Sequence, residues 1–143
     1  MSAQRLYTPE LLALAVELAD HPPLEEASAR GEARSPTCGS TLALDIATDE
    51  AGRIAGLGMK VRACAVGQAA AAIFARHAPG RDRAEVQAAL LALEAWLAGE
   101  GEVPDWPDLA IIAPAKAYSA RHGAMLLPWK AALAALSSAP QPR

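Results

Sequence analysis

Only 4% of the 143 residues are aromatic, although 52% are apolar. Alanine and leucine supply much of that apolar share, which implies a core of small, closely approaching helices. Positive charge is not in excess either: the formal net charge is −3 and the isoelectric point about 5.6. That argues against the basic stripe a nucleic-acid surface needs, and no block of like charge forms an interaction tail. Long apolar runs are missing. The stretch 69–75 falls far short of a membrane span, and the opening MSAQRLYTPE lacks the apolar core of a signal peptide. The expectation is a cytoplasmic protein that engages neither membrane nor nucleic acid. A glycine-rich phosphate loop, a catalytic triad and a zinc-protease motif are absent as well. Cysteine is scarce, with Cys38 and Cys64 the only two. Without an export signal they read as free thiols or metal ligands sooner than as a structural disulfide.

What is present fits a single domain over 1–143, large enough to bury a core without staples, with 137–143 as a disordered tail. No internal repeat is visible. Thr8 and Pro9 predict a helix start, the first as a cap and the second at a position where its missing N–H costs nothing. Leu11, Leu14, Ala15 and Leu18 form the apolar face, and His21-Pro22-Pro23 stops the helix. The charged, small-residue segment 24–37 predicts a loop or short edge strand.

Leu42, Leu44 and Ile46 alternate with polar or small residues, the pattern of a half-buried strand. Asp49-Glu50-Ala51-Gly52 predicts the turn. Leu57, Met59 and Val61 alternate on the return strand, but Ile54 has the other parity, so a bulge is expected at Gly56 or Gly58. An alanine-rich helix follows from Cys64 to about His77. The next opens at Asp82 and Glu85 with capping-box spacing and presents Val86, Leu90, Leu93 and Leu97, joined by Ala89 and Trp96. Pro107 predicts a short helix over Leu109–Ala113. The segment from Tyr118 to Leu136 is helical in composition, and Pro128 predicts either a start near Leu126 or a kink. The fold class expected is α+β: a small antiparallel sheet of about three strands packed against a layer of α-helices.

The chemistry concentrates between Ser35 and Gln68, where each cysteine ends an extended segment and the hairpin folds the two towards each other. Arg34 and Arg62 each lie within a few residues of a cysteine, and nearby cations favour the thiolate that binds metal. A cysteine of this kind can equally be a small buried hydrophobe. His21 and His77 follow helix-terminal patterns and suit caps or solvent-facing positions. Trp96, Trp106 and Trp129 suit core or lid packing.

The run Pro36-Thr37-Cys38-Gly39-Ser40, a β-hairpin, then Arg62-Ala63-Cys64-Ala65 opening a small-residue helix resembles the NifU/IscU-type iron–sulfur cluster scaffold family. The 26-residue separation of the cysteines is similar to the family's. Ser119–Ala131, with Trp129-Lys130-Ala131, resembles its closing motif, and the spacer before it is more similar to the SufU branch. The resemblance runs from about Thr8 to Leu136. Two positions depart from it: Ser40 stands where the family has an aspartate, and Ala124 where it has a third cysteine. Neither can bind a metal as the family does, so only Cys38 and Cys64 carry over as ligands, with Ser40 and Arg62 in support.

A cluster or tetrahedral zinc needs four ligands, or three and an exogenous one. His122 is the candidate third ligand, provided the chain around Gly123 is irregular, since two residues along a regular helix is about 200° around its axis. Alternatively, two chains each donate Cys38 and Cys64 at a two-fold axis. The resemblance implies a binding and carrier protein rather than an enzyme, holding iron and sulfide or persulfide as a transient [2Fe–2S] cluster. It implies a cysteine desulfurase and recipient apo-proteins as partners, and the chain itself as monomer or homodimer. The alternatives are a zinc-dependent sulfurtransferase partnering a cysteine desulfurase, and a degenerate paralogue kept as an interaction module.

Overall fold

The computed structural model describes residues 6–36 and 39–138. It has the expected α+β architecture, with three antiparallel strands in one open sheet ordered β1 (Ala29–Arg34), β2 (Thr41–Thr48), β3 (Ile54–Arg62). The α-helices are α1 (Pro9–Glu17), α2 (Ala65–His77), α3 (Arg83–Leu97) and α4 (His122–Ser138), with 3-10 turns over Leu18–Asp20, Leu109–Ala117 and Ser119–Arg121. Among the described residues no helix is long and apolar enough to cross a membrane.

Local chemistry accounts for most boundaries. Thr8 Oγ1 accepts the Leu11 amide at 3.2 Å and Pro9 opens α1, while Asp82 Oδ1 accepts the Glu85 amide at 2.9 Å to start α3. Asp49 Oδ1 accepts the amides of Ala51 and Arg53, both at 2.9 Å, and Gly52 takes the φ of 81° that closes the β2–β3 turn. The segment 24–37 resolves into β1, an edge strand, as one of its two expected forms. The bulge lies one residue from Gly56: Ala47 pairs with Gly56 and Thr48 with Ile54, so Ala55 is the extra residue. Gly58 has a different task. A side chain there would strike the Pro22 carbonyl, which crosses the sheet at that point.

Strand alternation divides the sheet into two faces. Leu42, Leu44 and Ile46 point inward and are essentially inaccessible. α4 lies across them and β1, close enough that a Cβ on Gly31 would meet the Ala131 carbonyl and the Ala135 amide. α2 and α3 pack on the other side of α4, and α1 packs on α2. Met125, Leu127, Trp129, Ala131, Ala132 and Ala135 of α4 are all buried, and among its described side chains only Lys130, Ala134 and Ser137 are exposed. So narrow an exposed strip, with a single charge on it, gives little polar pattern to phase the helix.

Two expectations about this helix are corrected. It does not start near Leu126; it begins at His122 and continues through Pro128. Proline cannot donate to the Ala124 carbonyl, yet layers on both sides hold the helix in place. It also reaches Ser138, so Ser137 and Ser138 belong to α4 rather than to a tail; 139–143 lie outside the described residues. The helix expected over Leu109–Ala113 is longer and tighter, a 3-10 run to Ala117 that includes Pro114.

Candidate functional site

Cys64 is the N-cap of α2, with φ −64° and ψ 170°, and its side chain makes no capping hydrogen bond. It is a free, half-buried thiol. The strand register positions it: Thr41 pairs with Arg62 on the last rung of the sheet, so Ser40 and Cys64 lie just beyond that rung on neighbouring strands. Gln68 fixes the helix start, its amide donating to the Cys64 carbonyl at 2.9 Å and its Nε2 to the Ala63 carbonyl at 2.9 Å. The thiol is therefore held by a well-anchored backbone while its own sulfur makes no capping hydrogen bond.

Two further segments meet there. The β1–β2 connection is closed by the Ser35 amide donating to the Ser40 carbonyl at 2.8 Å and the Gly39 amide to the Ser35 carbonyl at 2.9 Å. Ser40 is buried, at 6% exposure. Cys38 lies outside the described residues. The first turn of α4 arrives against both: a Cβ on Gly123 would run into the Ser35 side chain, and a Cβ on Gly67 would come within 2.7 Å of the Ala63 methyl and 3.2 Å of the Ala124 methyl. Ala124, fully buried, thus packs on the first turn of the helix that Cys64 caps. Ser35, Ser40 and the stretches 62–67 and 122–124, about 60 residues apart between the last two, converge at one end of the sheet.

His122 belongs to that convergence but is turned elsewhere. Its Nε2 lies 2.6 Å from the Lys116 carbonyl. A carbonyl only accepts, so Nε2 carries the proton and donates, leaving Nδ1 as the lone-pair nitrogen of the neutral ring. Because α4 is helical from His122 onward, His122 and Ala124 are set about 200° apart on it. Among the described residues no group of three or more His, Cys, Asp and Glu is arranged to hold a metal ion. Arg62 is exposed on the outer sheet face two residues before Cys64.

The other candidates fall at the far end of α2. His77 Nε2 lies 2.7 Å from Asp108 Oδ2, and Arg76 bridges Glu17 at 2.6 Å and Asp108 at 3.2 Å. Glu17 is held below its ordinary value chiefly by the hydrogen bond from Arg76, and Asp108 chiefly by that from His77. Arg76 is pushed further up by Glu17 first. His21 supplies a backbone carbonyl to the Met59 amide at 3.0 Å. The three tryptophans are core residues: Trp96, Trp106 and Trp129 are each at most 6% exposed. Sequence reasoning gave no contact role to Gly67, Gly123 or Ser35, whose small size lets the three segments touch.

Three antiparallel strands backed by helices, with a thiol at the strand-to-helix junction, define a small α+β class. No family model matches the sequence, and no curated protein does. Solved structures do match. A NifU-like protein (N-terminal) from Brucella abortus superposes with TM-score 0.84 and 28% identity, covering 92% of each chain. A putative iron–sulfur cluster assembly scaffold protein for the SUF system from Fervidobacterium islandicum gives 0.77 at 21% identity, over 94% of this chain and 99% of that one. A hypothetical protein gives 0.66 at 18%, over 89% and 96%. By structure this chain is similar to NifU-like and SufU-type proteins, the likeness its cysteine motifs imply.

Proposed function

We propose that the chain is an iron–sulfur assembly protein of the scaffold type, in which Cys38 and Cys64 handle iron with sulfide or persulfide. The observation that carries this reading is the free Cys64 thiol at the junction where Ser35, Ser40 and 122–124 converge. Sulfur delivery needs a donor persulfide, supplied by a cysteine desulfurase. The Cys64 thiolate attacks the terminal sulfur of that persulfide; a new S–S bond forms as the donor's own S–S bond breaks and its thiolate leaves. Ser40 and Ala124 supply no ligand, so once an external electron donor has reduced the persulfide sulfur by two electrons to sulfide and freed the Cys64 thiolate, the four thiolates for a [2Fe–2S] unit come from Cys38 and Cys64 of two copies. The protein then carries the unit to recipient apo-proteins as a single-domain cytoplasmic factor. Anaerobic reconstitution with iron and sulfide tests this. The expected result is sulfide-dependent visible absorbance, lost in Cys38→Ser and in Cys64→Ser. Wild type indistinguishable from both variants would overturn it.

One observation favours a second reading, a zinc-dependent sulfurtransferase partner. Imidazoles that ligate metal commonly donate their other N–H to a carbonyl, and His122 donates to Lys116. Nδ1 would then join the two cysteines, leaving one position for an exchanging group. Near-stoichiometric zinc in protein prepared without chelators, lost in His122→Ala, is its signature. Metal-free protein whose double cysteine variant keeps its partners and cellular role would instead indicate an interaction module.

A further inference from the structure

The outer face of the sheet is only half covered. Near Asp45 and Gly58 the 21–25 segment lies over it: Leu24 donates its amide to Asp45 Oδ2 at 3.0 Å, and Arg30 Nε reaches Asp45 Oδ1 at 3.1 Å. Towards the other end nothing among the described residues covers the strands, and a groove of about 560 Å³ opens there. Its walls and floor are Glu32, Arg34, Thr41, Ala43, Lys60 and Arg62.

The register explains the arrangement. Arg34, Thr41 and Arg62 share one rung, and Glu32, Ala43 and Lys60 share the next rung on the same face. Neighbouring strands are about 4.8 Å apart, so the two arginines stand about 10 Å apart with the small Thr41 between them. Lys60 stands one pleat repeat along β3, about 7 Å from Arg62. Among the described residues none of these three cations is in an ion pair, whereas Arg30 on the same strand is paired with Asp45. Three unpaired cations and one carboxylate thus mark one face of a chain whose net charge is −3.

We propose that this groove docks an extended acidic segment of a partner protein. Carboxylates two residues apart on an extended chain share one face and stand about 7 Å apart, the spacing of Lys60 from Arg62. The small floor of Thr41 and Ala43 leaves room for a backbone to lie along β2, between those two cations and Arg34. Three cations beside Glu32 are too few and too mixed for a nucleic-acid track, which neutralises a run of phosphates. Charge complementarity of this kind fixes orientation and speeds encounter more than it adds affinity. The assignment is independent of any chemistry at Cys64.

Fluorescence anisotropy with a labelled peptide alternating glutamate and threonine tests it on the full chain. Saturable binding is expected, weakening as sodium chloride is raised, with none for the same peptide carrying lysine in place of glutamate. Arg34→Glu with Lys60→Glu should weaken binding by about tenfold or more, because like charges then face each other, and the neutral pair Arg34→Gln with Lys60→Gln by less. Arg83→Glu, an exposed charge reversal on α3, should leave binding unchanged. The proposal fails if wild type shows no saturable binding, or if Arg83→Glu weakens binding as much as the groove variants. It also fails if inorganic phosphate displaces the peptide at constant ionic strength as well as unlabelled peptide does, which would make the groove a small-anion site.

Discussion

At its C-terminal end α2 is gripped by rings and charges, whereas the groups nearest Gly67 in its first turn are the methyls of Ala63 and Ala124. Phe74 stacks on Trp106 with centroids 5.3 Å apart, Trp129 meets both rings edge-on, and Arg81 lies 4.0 Å over Trp106. The Trp106 indole donates to the Ile73 carbonyl at 3.2 Å. Beside this cluster stand the ion pairs of Glu17, Arg76, His77 and Asp108. Among the described residues no ring cluster of that kind stands at the thiol end. Three of the six aromatic residues are thus stacked at one pole, which anchors the helix, and Cys64 is presented half-buried at the other. Stability and chemistry are assigned to opposite ends of one helix.

The largest expected effect follows from that division. Trp129 is fully buried, so Trp129→Ala should cost about 3–5 kcal/mol in urea unfolding. Its indole N–H has no hydrogen-bond partner among the described residues, so Trp129→Phe should cost much less. Cys64→Ser at the other pole should cost under about 1 kcal/mol, as expected for a half-exposed residue outside the core. Equal losses at both poles would break the division.

At the thiol pole the consequential changes add atoms rather than remove them. Gly67→Ala places a methyl 2.7 Å from the Ala63 methyl and 3.2 Å from that of Ala124. Forcing those groups apart should cost about 1–3 kcal/mol in urea unfolding. Ala124→Cys adds only a sulfur. It should cost under about 1.5 kcal/mol and raise zinc affinity at least about tenfold, because a third soft donor then joins the first turn of α2. Unchanged zinc affinity would mean that position 124 does not face the cysteines.

How much of this was legible beforehand differs between the two poles and the sheet. The β2 alternation was clear because an antiparallel strand with one buried face writes its register into the sequence. Caps at Thr8 and Asp82 were legible because capping is local chemistry. The extent of α4 was harder to read: packed between the sheet and α2 and α3, it exposes only Lys130, Ala134 and Ser137 among its described side chains, and Pro128 left a start near Leu126 or a kink as alternatives. The site was legible only through family resemblance. Contacts between Ser35, Gly67 and Gly123 join distant parts of the chain, and a glycine inside a helix carries no mark of what it must touch. The pairing of Arg76 with Glu17, 59 residues away, was invisible for the same reason.

The smallest expected effect sharpens the comparison from the charged side. Asp108 has φ 70°, a left-handed conformation that Asp and Asn tolerate better than other side chains. Its carboxyl and that of Glu17 both lie below their ordinary values of 3.8 and 4.5 in the folded chain. Folding therefore favours the ionised forms. Their contribution is whole above those ordinary values and is lost as pH falls through the lower folded ones. The four groups are a quarter to two-fifths exposed, so water and salt screen them, and the contribution should be about 1 kcal/mol or less. Asp108→Asn keeps the backbone tolerance and removes the charge. It should flatten the loss of stability between about pH 5 and pH 3, with little change in stability in 1 M salt. Cys64→Ser should leave the acid profile as it is. If instead the profile follows the thiol variant and ignores Asp108→Asn, the charged grip on α2 has been assigned to the wrong end.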